Sequence, residues 1–194
     1  MSELSIGQLR GLTTNNNTIT VPSGHKLYAP GHIVQVVPVD YSGRASQGLS
    51  DNTIANVVGI EAAITPKYAN SKIFIQARWF GEFGNFDRIY NCVFGISRNG
   101  TQIGRQTEGL GSTLANGLTV PAISYIYSDT NSTGETANLF VTDSPNSTSE
   151  LTYRLTLVAD QGFTLYTNRV AGWSGQTAGY ELGTSGIVLM EIAQ

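Results

Sequence analysis

The chain contains few charged residues. They make up 13% of its 194 residues, about half the share found in a typical soluble domain. Ser, Thr, Asn, Gln and Gly take their place, which gives a surface that is polar but weakly charged. The net charge is -3 and no run of basic residues occurs. We therefore expect no binding to nucleic acid, because its phosphates require a positively charged surface.

Cysteine and long apolar runs are also scarce. Cys92 is the single cysteine, so no internal disulfide can form, and its apolar neighbours in sequence predict a small buried hydrophobe. No apolar stretch approaches the roughly 20 residues that span a bilayer. The first residues lack the basic start and apolar core of a secretion signal. We therefore expect no membrane partner, and synthesis in a cytoplasm followed by use there or release by lysis.

Residues suited to catalysis or metal binding are few. The two histidines, His25 and His32, stand beside glycines, with no cysteine or carboxylate at metal-ligand spacing. Nucleophile-elbow, phosphate-binding and calcium-loop motifs are missing from the sequence. Glu82 and Asp87 could form a glycosidase-like carboxylate pair, although their surroundings favour a solvated loop. The sequence thus predicts no enzyme, no metal and no cofactor.

Strand-like segments follow one another from residue 31 onward. Residues 72–80 alternate most clearly, because every second side chain from Ile73 to Trp79 is apolar and shares one face. Asn99-Gly100 is a strong β-hairpin signal, since a type I′ turn needs positive φ at both positions. The other predicted strands cover residues 33–37, 54–64 with a bulge at Gly59, 90–98, 101–106, 118–127, 137–142, 151–158, 163–167 and 187–192.

This pattern predicts an all-β, antiparallel β-sandwich preceded by an extended N-terminal arm. Nine or ten short strands separated by turns are typical of a sandwich, and a two-sheet jelly roll leaves few sheet edges open. Residues 1–30 are rich in glycine and asparagine with spaced apolar residues, as in an arm, and residues 18–21 alternate like a short edge strand. We therefore divide the chain into an arm, residues 1–30, and a head, residues 31–194.

Two sets of apolar residues predict contacts with other proteins. Phe74, Phe80, Tyr125 and Tyr127 place apolar side chains on the second face of predicted strands, although a sandwich buries one face of each sheet. A homo-oligomer around a rotation axis would cover these outer faces. The arm carries its own apolar set, which we expect to dock to a partner as an added strand: Leu4, Ile6, Leu9, Leu12, Ile19 and Val21.

Aromatic residues in glycine- and asparagine-rich loops form a third set: Phe83, Phe86, Trp173 and Tyr180. Exposed rings in such loops stack on sugars or contact partner proteins. The alternative is that these rings close the ends of the sandwich. Both interpretations are compatible with the sequence.

Four segments spread over residues 22–193 occur in a distinctive order. They are PSGHKLYAPGHIVQVV at 22–37, ITPKYANSKI at 64–73, DSPNST at 143–148 leading into LTY at 151–153, and the ending from GTS at 183–185 to MEIA at 190–193. In this order they resemble the head domains of tail-fibre-like structural proteins of marine tailed phages, cyanophages among them.

The resemblance implies a trimeric jelly-roll head on the outside of a virion, made in the cytoplasm of the host. The chain lacks the shaft of a long fibre, since it contains no heptads, no collagen-like repeat and no repeated short strands. We therefore expect a capsid-decorating (cement) protein whose arm docks to the major capsid protein. The alternative is a short tail-fibre or receptor-binding tip protein, which would contact tail proteins and a glycan of the host surface.

Overall fold

A computed structural model describes residues 10–16, 18–23, 25, 29–84, 91–105, 132–175 and 181–194. The predicted strand at 118–127, with Tyr125 and Tyr127, lies outside these residues. A single 3₁₀ turn, Thr13–Asn15, occurs in the arm. The strands are β1 (Ile33–Tyr41), β2 (Ala45–Leu49), β3 (Ala55–Ile64), β4 (Lys72–Phe83), β5 (Cys92–Arg98), β6 (Thr101–Ile103), β7 (Glu135–Asp143), β8 (Leu151–Ala159), β9 (Phe163–Thr167) and β10 (Ser185–Ile192).

The strands form two antiparallel sheets. Sheet A contains β1, β10, β4 and β7 in that order, and β9 pairs with the far end of β4 and extends the sheet to β2. Sheet B has the order β3-β8-β5-β6. Without β2 and β9, the remaining eight strands occur in the order 1-8-3-6 in sheet A and 2-7-4-5 in sheet B. This is the strand order of a jelly roll, and the predicted antiparallel β-sandwich is confirmed.

The core lies between the two sheets. The face of β4 that the alternation predicted to be buried is fully enclosed from Ile73 to Trp79. The Trp79 ring packs 5.1 Å from the Phe83 ring of its own strand and 5.2 Å from the Phe94 ring of sheet B, measured between centroids. Its indole Nε1 donates a hydrogen bond to Thr167 Oγ1 at 3.1 Å, which satisfies the polar atom of a buried ring.

A polar clamp also joins the two sheets near their edge. Asp143, at the end of β7, accepts hydrogen bonds from Arg98 Nη1 at 2.7 and 2.9 Å and from Tyr153 Oη at 2.8 Å. Arg98 and Tyr153 are neighbours across β5 and β8 of sheet B. One carboxylate therefore fixes sheet A against sheet B, because a charged acceptor makes stronger hydrogen bonds than a neutral one.

Turn and bulge signals of the sequence are confirmed. Asn99 and Gly100 have φ values of 48° and 86°, and Arg98 pairs with Thr101 on either side of them, as a two-residue hairpin requires. Gly59 has φ of 82° and lies inside the register break of β3, which is the predicted bulge.

Several details differ from the sequence-based prediction. The strand predicted at residues 33–37 continues to Tyr41, and the strand predicted at 101–106 ends at Ile103. The strand β2 was not predicted, because its residues ASQGL include no β-branched or aromatic side chain. The strand β4 continues past residue 80 to Phe83. Residues 18–21 are not a strand and belong to no strand pair of the described residues. No helix in the described part of the chain is long and apolar enough to cross a bilayer.

Candidate functional site

The outer faces of the two sheets differ in chemistry. On sheet B, Glu61 and Arg154 are paired across β3 and β8 and form an ion pair of 2.5 Å. Thr156 donates a hydrogen bond to Gln102 at 3.1 Å on the same sheet. Val58 of β3 is 46% exposed, and Thr156 and Val158 of β8 are buried, so this face is mixed rather than wholly polar.

The outer face of sheet A carries apolar side chains on four adjacent strands, with polar residues such as Gln76 and Asn138 among them. Its side chains alternate with the buried ones of β1, β4, β7 and β10, so they point away from the core. Phe140 is 72% exposed and Val36 is 47% exposed. We name this surface the sheet A patch, and its members are Ile33, Val36, Pro38, Phe74, Phe140, Val188, Met190 and Ile192.

Strand register groups these side chains. Val36, Met190 and Phe74 lie side by side in one row across β1, β10 and β4. In the next row, the exposed Gln76 of β4 lies between Val188 of β10 and Phe140 of β7. The Phe74 and Phe140 rings stack diagonally with centroids 6.1 Å apart and an interplanar angle of 26°. Apolar side chains grouped on an outer face are typical of protein interfaces rather than of isolated exposed residues.

Phe74 and Phe80 were predicted to lie on outer sheet faces, and both do. Phe74 is half-buried within the patch, whereas Phe80 lies against Gly134 and Gly183 of two loops that cover it. A Cβ atom on Gly183 would come within 2.4 Å of the Phe80 ring. Beside Phe80 is a cleft of about 310 Å³ lined by Arg78, Phe80, Thr136, Leu182, Gly183 and Thr184. Its lining contains no histidine, cysteine or carboxylate that could serve as a nucleophile or base.

The arm leaves the head at the border of the patch. Gly31 N donates to Ala193 O at 2.7 Å, and Ala193 N donates to His32 O at 3.0 Å. The next pair along these strands is Ile33 with Ile192, and both are patch residues. The chain therefore enters β1 alongside its own C-terminal residues.

The described part of the arm exposes its apolar side chains. Leu12 is 73% exposed, Ile19 49% and Val21 43%. Their exposed surface is available to another molecule. The other three predicted docking residues, Leu4, Ile6 and Leu9, lie outside the described residues.

The loop aromatics divide into different environments. Phe83 was predicted as a possible partner-binding residue, but it is buried in the core, where its ring centroid lies 5.5 Å from that of Phe163. Phe83 is therefore a core residue rather than an exposed loop residue. Phe86 and Tyr180 lie outside the described residues. Trp173 is partly buried after β9 and contacts Arg44 and Arg169.

The Glu82 carboxylate is buried and hydrogen-bonded to the backbone of two loops. Its side chain is buried, and its two carboxylate oxygens accept hydrogen bonds from the backbone N–H groups of Thr133, at 3.0 Å, and Ala171. It therefore ties the end of β4 to the loops before β7 and after β9. Asp87, the other member of the considered carboxylate pair, lies outside the described residues.

Glu191 organises the opposite end of the molecule. It is fully buried and accepts hydrogen bonds from the N–H groups of Lys67 and Tyr68, from Ser71 Oγ and from Gln35 Nε2, at 2.6 to 3.1 Å. Burial alone would raise its pKa, but these four donors stabilise the charged form and bring the pKa below its ordinary value. A carboxylate that is ionised and saturated with donors holds the loop between β3 and β4.

Cys92 is buried and reduced, as predicted for a small hydrophobe. Burial, followed by the nearby charges of Asp160 and Glu135, raises the pKa of its thiol to about 12. It therefore stays protonated and is a poor nucleophile at neutral pH.

Metal ligands are not grouped in the part of the chain that the structure describes, where no three His, Cys, Asp or Glu side chains come together.

The chain matches no protein-family model. No curated protein matches it either. The candidate functional features of the described residues are the sheet A patch, the arm, and Trp173 with its two arginine neighbours. Sequence reasoning found Phe74 but missed most of the patch, although the continuous apolar run of β10 signals a strand that is apolar on both faces.

Proposed function

We propose that the protein is a non-enzymatic structural component of a tailed-phage virion. Its jelly-roll head forms a homotrimer on the particle surface, and its arm anchors the trimer to the shell as a capsid-decorating protein. The sheet A patch carries the proposal, because exposed apolar side chains on four adjacent strands, Phe140 and Val36 among them, need a protein partner.

Self-association is the arrangement that covers this patch with the fewest additional components. A ring of identical subunits uses the same surface of every copy, so one apolar face is enough to build the interface. The sequence resemblance to phage head domains supports three subunits. The jelly-roll strand order is compatible with that resemblance, since viral structural proteins are among those that use this architecture.

The arm supplies the attachment to the particle. Its exposed apolar residues Leu12, Ile19 and Val21 lie in extended chain that can bury alternate side chains on a neighbouring protein. Three arms on one trimer multiply a weak contact, because binding of the first arm raises the effective concentration of the others.

The experiment is to assemble particles with a chain that lacks residues 1–21. We expect the shortened chain to stay folded and trimeric but to be lost from purified particles, as measured by quantitative gel analysis or electron microscopy. A matched pair of full-length variants sharpens the test. Leu12→Asp with Ile19→Asp should reduce incorporation into particles at least about tenfold, because two charges prevent apolar burial. Thr14→Asp with Thr20→Asp adds the same charge at exposed threonines, and this control variant should be incorporated normally. Normal incorporation without the arm would contradict the proposal.

A second placement, at a tail tip that contacts the host, is favoured by the partly exposed Trp173 and its two arginine neighbours. Counting copies per particle separates the two placements. Hundreds of copies indicate shell decoration, and a few dozen or fewer indicate the tail.

A further inference from the structure

Two arginines converge on one tryptophan where β2 begins and β9 ends. Arg44 Cζ lies 4.4 Å from the centroid of the Trp173 ring, and Arg169 Cζ lies 6.0 Å from it. Ser46 and Tyr166 are paired residues of β2 and β9 and complete the group. We name these five residues the Trp173 cluster.

Arg169 is fixed in place by its neighbours. Its Nη1 donates to the backbone oxygen of Trp173 at 3.0 Å, its Nη2 donates to Ser46 Oγ at 2.9 Å, and its Cζ lies 4.6 Å from the centroid of the Tyr166 ring. These contacts hold the Trp173 segment against the β2–β9 pair. Arg169 therefore acts as a positioning residue that also contributes a fixed positive charge.

Arg44 makes fewer contacts than Arg169. Its side chain is exposed, and its contact with the Trp173 ring is the one interaction that it makes with the described residues. A guanidinium on an aromatic face keeps its N–H donors in the plane of the group, where they can bind an oxyanion through two parallel hydrogen bonds. The ring thus orients Arg44 without using its donors.

Two arginines beside one ring are unusual in a chain whose net charge is negative. The chain has 11 basic residues against 14 acidic ones, yet two guanidinium groups share one ring. Neither Arg44 nor Arg169 forms an ion pair with any residue that the structure describes. The result is a small positive site on a weakly charged surface.

We propose that the Trp173 cluster binds a single oxyanion, a carboxylate or sulfate ester carried by an acidic saccharide. Arg44 donates the hydrogen bonds to the oxyanion, and Arg169 adds the second charge while holding Trp173. Nucleic acid is the less suitable ligand, because it requires an extended track of basic residues rather than one pair. The inference concerns the head itself and holds for shell and tail placements alike.

Tryptophan fluorescence of the full-length protein tests the proposal. The chain contains two tryptophans, and Trp79 is 0% exposed, so Trp173 reports on a ligand that binds beside it. Titration with a sulfated, uronate-containing disaccharide should change the emission saturably, whereas a neutral disaccharide of the same size should not. Inorganic sulfate is titrated in parallel. Weaker binding of sulfate than of the disaccharide supports recognition of the saccharide, and equal binding limits the site to a bare oxyanion and removes that part of the proposal.

Two variants distinguish a specific site from general charge attraction. Arg44→Gln should weaken disaccharide binding about tenfold, as expected for loss of a charge-assisted, bidentate hydrogen bond. Arg10→Gln makes the same change in net charge at an exposed position of the arm and should bind like the unaltered protein. The proposal is overturned by the lack of a saturable response up to about 10 mM, a range that covers weak single-anion sites, or by equal weakening in both variants. A failed titration leaves the trimer and arm predictions intact.

Discussion

Gly81 is the residue at which the long strand β4 changes partners. It pairs with Glu135 of β7 on one edge and with Thr167 of β9 on the other. A Cβ atom at this position would lie 1.9 Å from the backbone oxygen of Tyr166, far inside van der Waals contact. The jelly roll can therefore accept β9 beside β4 because residue 81 has no side chain.

Gly81→Ala is expected to lower the free energy of unfolding by about 3 kcal/mol or more, since the backbone of β9 must move away from β4. Urea denaturation measures the effect. Gly48→Ala is the matched control in β2, because a Cβ there meets nothing within 4 Å, and its change should stay below about 1 kcal/mol. Similar losses in the two variants would show that the close approach at Gly81 is not important.

Glu191 makes stability depend on acidity in a defined direction. Its four hydrogen bonds lower its pKa in the folded state, so the unfolded chain binds a proton at a higher pH than the folded chain does. The stabilisation by this carboxylate is therefore complete above the unfolded pKa and is lost as pH falls through the folded pKa.

Glu191→Gln should destabilise the protein by about 2 to 4 kcal/mol at pH 7, because a buried network loses its charged acceptor. The difference in the free energy of unfolding between the variant and the unaltered protein should shrink as pH falls below about 4, near the ordinary pKa of glutamate. Chemical denaturation at pH 7 and pH 3 measures it. Glu61→Gln, which removes an exposed ion pair, is the control and should cost less than about 1 kcal/mol at either pH. A gap that stays constant with pH would contradict the role given to Glu191.

At the scale of strands, alternation and turn chemistry predicted most of the fold. The pattern of β4 identified the buried face from Ile73 to Trp79, and Asn99-Gly100 identified the hairpin between β5 and β6. These signals are local, because each depends on neighbouring side chains and on the φ values that a turn requires.

The remaining elements depend on contacts between distant segments, which local sequence does not reveal. Strand β2 forms because β9 lies beside it, not because its own residues favour strands. Residues 18–21 alternate like a strand but belong to no strand pair of the described residues. Phe83 resembles a loop residue in sequence, yet pairing with Leu165 extends β4 through it.

The patch on sheet A should respond to a single polar substitution. Phe140→Ser removes its most exposed ring, and each subunit would lose about 1.5–3 kcal/mol of burial at the interface. We therefore expect Phe140→Ser to dissociate at concentrations where the unaltered protein remains assembled, as measured by sedimentation velocity. Ile54→Ser changes an exposed apolar residue outside sheet A and should assemble normally. Equal weakening by both substitutions would place the interface elsewhere.

At the scale of the whole molecule, the outer face of sheet A carries a group of exposed apolar side chains, and the arm leaves the head at the edge of this group. The sequence predicted that apolar surface would exceed what one subunit can bury, because Phe74 and Phe80 fall on the second face of a strand whose first face is core. It could not predict that the excess lies on sheet A, because that depends on β1, β10, β4 and β7 being adjacent.

The most direct test of the account is the mass of the purified protein in solution, measured by light scattering during gel filtration at micromolar concentration. The chain has a mass of 20.8 kDa, and the account predicts a particle of three times that mass. It also predicts that Phe140→Ser shifts the particle toward the mass of one chain. A single species of 20.8 kDa for the unaltered protein would contradict the claim that the sheet A patch is an interface between subunits.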